Sequence, residues 1–254
     1  MSLLILIPAR SGSTRVPNKN LAIVGDYPLI AWSIRAAKQV INSRILVSTN
    51  STNIGQVAKS FGADVPFYRP EELSNEYSTS LSVILHTVDW YIKQKIRLPE
   101  YLAFKPPTCP FVSSETIEQM CKKLKSSENF NSIVTVTHAS LHPFRAVQID
   151  KMGKLRHDAV KINNKDINDF ERTQEYPEVK EGSPACRMTK TSYFLNLLNK
   201  NNGKLELGGQ TYDSSSSMAY EISKEESFDI DEAADLELAQ KIAPNYICEK
   251  HIGD

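Results

Sequence analysis

Apolar residues recur along this chain in two rhythms. Short, nearly continuous apolar or β-branched runs alternate with longer stretches of helical period, which is the pattern of βαβ units around a mostly parallel sheet. The runs predict strands near Leu3–Pro8, Ile45–Thr49, Asp64–Tyr68, Tyr101–Lys105 and Ser132–Thr137. The helical spacing predicts helices near Leu29–Val40, Ile54–Phe61, Leu81–Lys93 and Glu115–Leu124. The implied fold class is α/β, a Rossmann-like three-layer domain, and such sheets place ligands outside the carboxyl ends of their strands. The segments that follow Pro8 and Tyr101 lie at such ends.

The rhythm changes from about His138. Val147 to Leu155 alternates around Lys151-Met152-Gly153 and reads as a β-hairpin, and Arg156 to Pro184 is polar and loop-like. The chain is expected to return to the core with Tyr220–Ile222, an element at Asp229–Asp231 and a final amphipathic helix over Ala234–Ile242. This divides it into a main domain, residues 1–137 and 185–254, and an insertion at 138–184. The insertion reads either as an arm with a role in assembly or as an idle surface excursion.

At 254 residues the chain is long enough to bury a substantial core. Thirty basic and thirty acidic residues leave no net charge, which argues against general nucleic-acid or anionic-membrane binding. The apolar opening is too short and lacks the basic leader of a secretory signal, and no apolar run is long enough to span a bilayer. Cys109, Cys121, Cys186 and Cys248 are too scattered for a zinc site or disulfide framework and read as reduced, packing thiols of a cytoplasmic protein.

Candidate chemistry begins where the first strand ends. Ile7-Pro8-Ala9-Arg10-Ser11-Gly12-Ser13-Thr14-Arg15-Val16-Pro17-Asn18-Lys19-Asn20 holds a glycine, small and hydroxyl residues, and three cations. Gly permits close approach, and successive backbone amides form a concavity for an anion, so a nucleoside triphosphate suits this loop. The string matches neither the G-x-x-x-x-G-K-[ST] nor the G-x-G-x-x-G pattern. At the other end of the chain, Asp229 and Asp231 are spaced by one residue, so on extended backbone they share a face and suit one hard cation. The same spacing also suits a helix N-cap.

The ordered string from Ile7 to Asn20 closely resembles the signature of the cytidylyltransferases that activate sugar acids with CTP, and above all the acylneuraminate (nonulosonic acid) cytidylyltransferases. Ser227-Phe228-Asp229-Ile230-Asp231, Arg69-Pro70-Glu71-Glu72-Leu73-Ser74, Pro107-Thr108-Cys109-Pro110 and His142-Pro143-Phe144-Arg145 extend the resemblance over nearly the whole chain. It implies a nucleotide-diphospho-sugar transferase-like fold, with the insertion as a hairpin arm that dimerises and covers a neighbouring site. It also implies that a CMP-sugar for surface polysaccharide and pyrophosphate form from CTP and a sialic-acid-like acid with Mg²⁺. Ala9, Arg10, Ser11, Gly12, Ser13, Asn20 and Ser80 would then line the nucleotide, Arg10 and Lys19 would hold the triphosphate, and Asp229 and Asp231 would hold the metal, with Arg10, Lys19 and Asp231 catalytic. Thr108, Arg145 and Arg172 would face the sugar. Ser78 to Ser80 read equally well as helix caps, and Arg15 stands where relatives often carry Lys or Gly.

The chain departs from the resembled pattern where the sugar should lie. Pro106 takes the place of a Gln, and Glu181-Gly182-Ser183-Pro184-Ala185 replaces Asn-Gly-Ala-x-Tyr. A lost amide leaves a substrate group unpaired, so N-acetylneuraminate is expected to be a poor substrate. A second reading is the same chemistry on 3-deoxy-manno-octulosonate. The Gly-Asp-Glu-Pro turn of that family is missing from Lys105–Pro110, which disfavours it. A third is a catalytically silent nucleotide-binding homologue, which the intact Asp229 and Asp231 disfavour. No general base is named by the sequence.

Overall fold

A computed structural model describes residues 2–156, 160–205 and 209–247. Its strands are β1 (Leu3–Pro8), β2 (Ile23–Val24), β3 (Tyr27–Pro28), β4 (Ser43–Ser48), β5 (Tyr101–Phe104), β6 (Ser132–His138), β7 (Gln148–Ile149), β8 (Leu155–Arg156), β9 (Lys180–Lys190) and β10 (Ser217–Glu221). Its helices are α1 (Leu29–Lys38), α2 (Thr52–Ser60), α3 (Ser80–Lys93), α4 (Ser114–Lys125), α5 (Thr191–Lys200), α6 (Ala233–Ile242) and α7 (Pro244–Ile247). Six strands form the main sheet in the order β10-β6-β9-β5-β1-β4. Only β9 runs antiparallel to its neighbours.

The continuous apolar run of β1 suits a strand covered on both faces, and its residues Leu3 to Ile7 are buried. Leu3, Ile5 and Ile7 join the core against α1 and α4, while Leu4 and Leu6 join the core against α3 and α5. Three helices start on hydroxyl caps: Ser51 accepts from the Ile54 N–H, Thr79 from Ser82 and Ser113 from Thr116. The chain leaves β1 for β4 on one side and crosses back to β5 on the other, so the order reverses at β1. That reversal opens a crevice at the carboxyl ends of β1 and β5.

The structure differs from the sequence expectation in several places. Asp64–Tyr68 is no strand: isolated bridges join Asp64 to Leu46 of β4 and Tyr68 to Thr49 just past its end. Pro66 between them has no N–H to give a ladder. Residues 180–184, which their polarity assigns to a loop, open the eleven-residue β9 in the middle of the sheet. Pro184 is tolerated there because the pairing with β6 shifts at that point, and the Thr135 hydroxyl lies 3.1 Å from Ser183 O and 2.9 Å from Cys186 O. The excursion also has a small core of its own, in which Phe144 is fully buried against His142, Phe170 and Tyr176. Cys109, Cys121 and Cys186 are buried free thiols, and Cys248 lies outside the described residues.

Candidate active site

The loop after β1 is shaped by two residues in left-handed backbone, Gly12 at φ 76° and Asn18 at φ 53°. A Cβ at Gly12 would meet nothing within 4 Å, so the glycine serves backbone shape rather than space. The Ser11 amide and hydroxyl both donate to Asn50 Oδ1 at 2.9 and 3.1 Å, which ties the loop to the end of β4. Asn20 Nδ2 donates to Arg10 O at 2.9 Å, folding the loop back on itself. Arg10 Nη1 reaches Ser74 O at 3.4 Å. Ala9 is buried, Ser13 is half-buried and Ser80 is the exposed first residue of α3, next to its cap Thr79.

Lys19 joins the two ends of the chain. Its largely buried ammonium donates to Ile230 O at 2.6 Å and Asp231 O at 3.3 Å, and lies 3.7 Å from Asp231 Oδ1. The fully buried Ile230 seats in a cluster with Leu29, Trp32 and Phe111, and its N–H donates to Thr108 O at 2.9 Å. Asp229 and Asp231 flank that anchor, each against one crevice loop. Asp229 Oδ1 lies 3.6 Å from Cys109 Sγ after β5, and Asp231 faces Lys19 and Arg15 after β1. Asp231 is not spent on a cap, because Glu232 caps α6 in a capping box with Asp235. The pair of Arg15 with Asp231, 3.3 Å apart, is mostly exposed and stabilises little.

Arg145 and Arg172 are exposed on the excursion, and Arg172 pairs with its neighbour Glu175 at 2.8 Å. No contact joins either to the crevice loops among the described residues. Ala185, where the resemblance leads to a tyrosine, is fully buried in the core cluster with Cys186 and Met188.

Two crevice cations escaped the sequence reading. Arg69 is only 5% exposed, and its Nε and Nη2 have no hydrogen-bond partner among the described residues. Burial, with the like charge of Arg10, draws its pKa down to about 10. The Arg-Pro element marks the residue, but nothing in the sequence reports its burial. Lys105 is fully buried, donates to Ser33 Oγ at 2.9 Å and Cys109 O at 3.0 Å, and so holds the turn bearing Thr108 against α1. A lysine closing an apolar strand is its only sequence signal.

Burial draws the Lys105 ammonium down from 10.5 to about 8. From pH 8 to 10.5 the unfolded chain therefore holds this proton more than the folded one, and the contribution of Lys105 to stability rises with pH by roughly 3 kcal/mol. The buried thiols of Cys109 and Cys186, pushed up from 9, act in the opposite sense. The test is therefore a difference: urea unfolding of the parent chain minus that of Lys105→Met should shift toward the parent across this window. A difference flat in pH would contradict the shift.

An α/β sheet with cationic loops at its reversal point and a carboxylate pair from the far end of the chain beside them defines a Rossmann-like domain. The chain belongs to the cytidylyltransferase family, whose sequence model matches residues 4–247. It is 30% identical over 242 residues to an N-acylneuraminate cytidylyltransferase of Escherichia coli O18:K1:H7 strain RS218, covering 93% of this chain and 51% of that protein. It is 35% identical over 156 residues to a CMP-N,N'-diacetyllegionaminic acid synthase of Legionella pneumophila strain Philadelphia 1, covering 61% of this chain and 66% of that one. The chain thus spans about half to two thirds of the length of these relatives. Its fold is shared with a solved CMP:2-keto-3-deoxy-manno-octonic acid synthetase complexed with CTP, at TM-score 0.68 and 14% identity over 96% of this chain and 99% of that one.

Proposed function

We propose that this protein is a cytidylyltransferase that transfers CMP from CTP to a nonulosonic, sialic-acid-like sugar acid. The oxygen of the acid's anomeric hydroxyl bonds to the α-phosphorus of CTP as the bond to the leaving pyrophosphate breaks, and the hydroxyl proton is given up to solvent. The observation that carries the reading is Lys19, a buried cation of the first loop fastened to the backbone between Asp229 and Asp231. One side chain thus holds a phosphate-directed loop and a carboxylate pair in fixed relation, which is what phosphoryl-type chemistry asks of a protein.

Arg10 offers a planar fork to phosphate oxygens, and Arg69 brings two unsatisfied donors to the same side of the crevice. Asp229 and Asp231 fit Mg²⁺ by chemistry: both are hard oxygen donors beside the crevice, and neither caps a helix. Bound there, Mg²⁺ would neutralise charge on the phosphate oxygens. Lys105 and Thr108 position the backbone that carries this pair.

The exposed Leu141, Val147, Ile149, Met152 and Leu155 on the excursion support a homodimer with the hairpin across a twofold-related copy. Light scattering should give twice the chain mass, and a monomer at working concentration would remove this part of the reading. Neutral net charge gives no support to nucleic-acid binding, no described helix is long and apolar enough to cross a membrane, and the buried free thiols fit a cytoplasmic setting.

Pyrophosphate release with each nucleoside triphosphate, Mg²⁺ and a panel of sugar acids tests the whole. CTP with a nonulosonic acid other than N-acetylneuraminate should be fastest. Preference for 3-deoxy-manno-octulosonate would support the second reading, and calorimetric binding of CTP without turnover of any acid would support the silent homologue.

A further inference from the structure

We infer that Arg187 binds the carboxylate of the sugar acid, on the side of the crevice opposite the nucleotide; this rests on the cytidylyltransferase reading above. Arg187 lies on β9 in register with Phe104, the last residue of β5, and so at the carboxyl edge of the sheet beside the crevice. Its Nη1 donates to the buried Thr211 hydroxyl at 2.9 Å, and its guanidinium lies 5.9 Å from the Phe104 ring centroid. These contacts fix the plane of the fork. No carboxylate pairs with it among the described residues, and burial draws its pKa down while Cys186, Tyr212, Cys109 and Asp229 act the other way. Half-buried and held in one plane, the guanidinium fork suits a ligand carboxylate arriving at this edge.

The layout decides which anion. Asn50, Ser74, Arg10 and Arg69 gather on the β4 side of β1, and Lys19 with Asp231 stands between the loops. A nucleotide held by the first group leaves its α-phosphorus open to an acceptor from the β5 and β9 flank, where Arg187 is. The acceptor's own charge is a carboxylate, which matches a guanidinium fork in a way a hydroxyl-only sugar does not.

The test measures pyrophosphate release with CTP, Mg²⁺ and either N-acetylneuraminate or N,N'-diacetyllegionaminate, whichever is turned over, and with the C1 methyl ester of that acid. Arg187→Met should raise the KM for the acid roughly 10- to 100-fold, the loss typical of a hydrogen-bonded charged group. It should leave the KM for CTP within about twofold and barely change the ester. Arg187→Lys should recover part of the loss, and it decides the matter alone if Arg187→Met does not fold. Equal losses on acid and ester, a parallel rise in the KM for CTP, or no change would overturn the inference while leaving the cytidylyltransferase reading intact. A parent chain that releases no pyrophosphate with any acid would overturn both.

Discussion

Replacing Lys19 with methionine is expected to lower turnover by roughly two to three orders of magnitude, the usual loss on removing one preorganised charge stabiliser. The effect has two sources. The ammonium charge itself is lost from the crevice. The carbonyls of Ile230 and Asp231, held at 2.6 and 3.3 Å, also lose their shared donor, so the segment that carries both carboxylates loosens. Lys19→Arg separates the two, because it keeps the charge but cannot reproduce a compact donor in a buried slot. It should recover part of the rate and little of the thermal stability. Arg10→Ala should cost a similar factor in turnover with a smaller change in melting, since the one hydrogen bond of its guanidinium among the described residues is long, 3.4 Å to Ser74 O. Losses of tenfold or less in both variants would remove the two cations from the proposed charge stabilisation.

Asp231→Asn is expected to shift the Mg²⁺ concentration for half-maximal rate upward by at least about tenfold, the lower end of what even an outer contact to a metal ligand contributes. The change is nearly isosteric, and Asp231 is substantially exposed, so the fold should be kept. Lys19 and Arg15 would then face the crevice without their shared carboxylate, which should strengthen binding of CTP alone while weakening the metal. Calorimetric titration of Mg²⁺ in the presence of CTP reads this independently of turnover. Asp229→Asn should act in the same direction. An unchanged metal requirement in both variants would remove the carboxylate pair from the metal proposal.

How much of this was legible in the sequence differs element by element. The strands at Leu3–Pro8 and Tyr101–Phe104 and the helices α1 to α4 could be read because one face or both are apolar at a local period. Strand β9 could not. Its Gly182, Ser183 and Pro184 are turn residues by local chemistry, and only the Thr135 hydroxyl, 48 residues away, makes a strand with a bulge possible there. Helix α5 is not among the helices the sequence predicts, and its buried Phe194 and Leu198 find their partners on α3 and β5.

The sequence by itself determined an α/β architecture, a cation-bearing loop at the end of the first strand and a carboxylate pair near the far end, because all three are written in short-range pattern. Only the tertiary structure decided what those pieces meet. It set Ile230 in an apolar cluster so that Asp229 and Asp231 fall against opposite loops, and it buried Lys19 between them. It also left Nε and Nη2 of Arg69 without a hydrogen-bond partner among the described residues, sank Lys105 beneath the Thr108 turn and placed Arg187 beside the end of β5. Burial and the identity of a partner depend on strand order and register, which join residues dozens to hundreds of positions apart, and no local period along the chain records them.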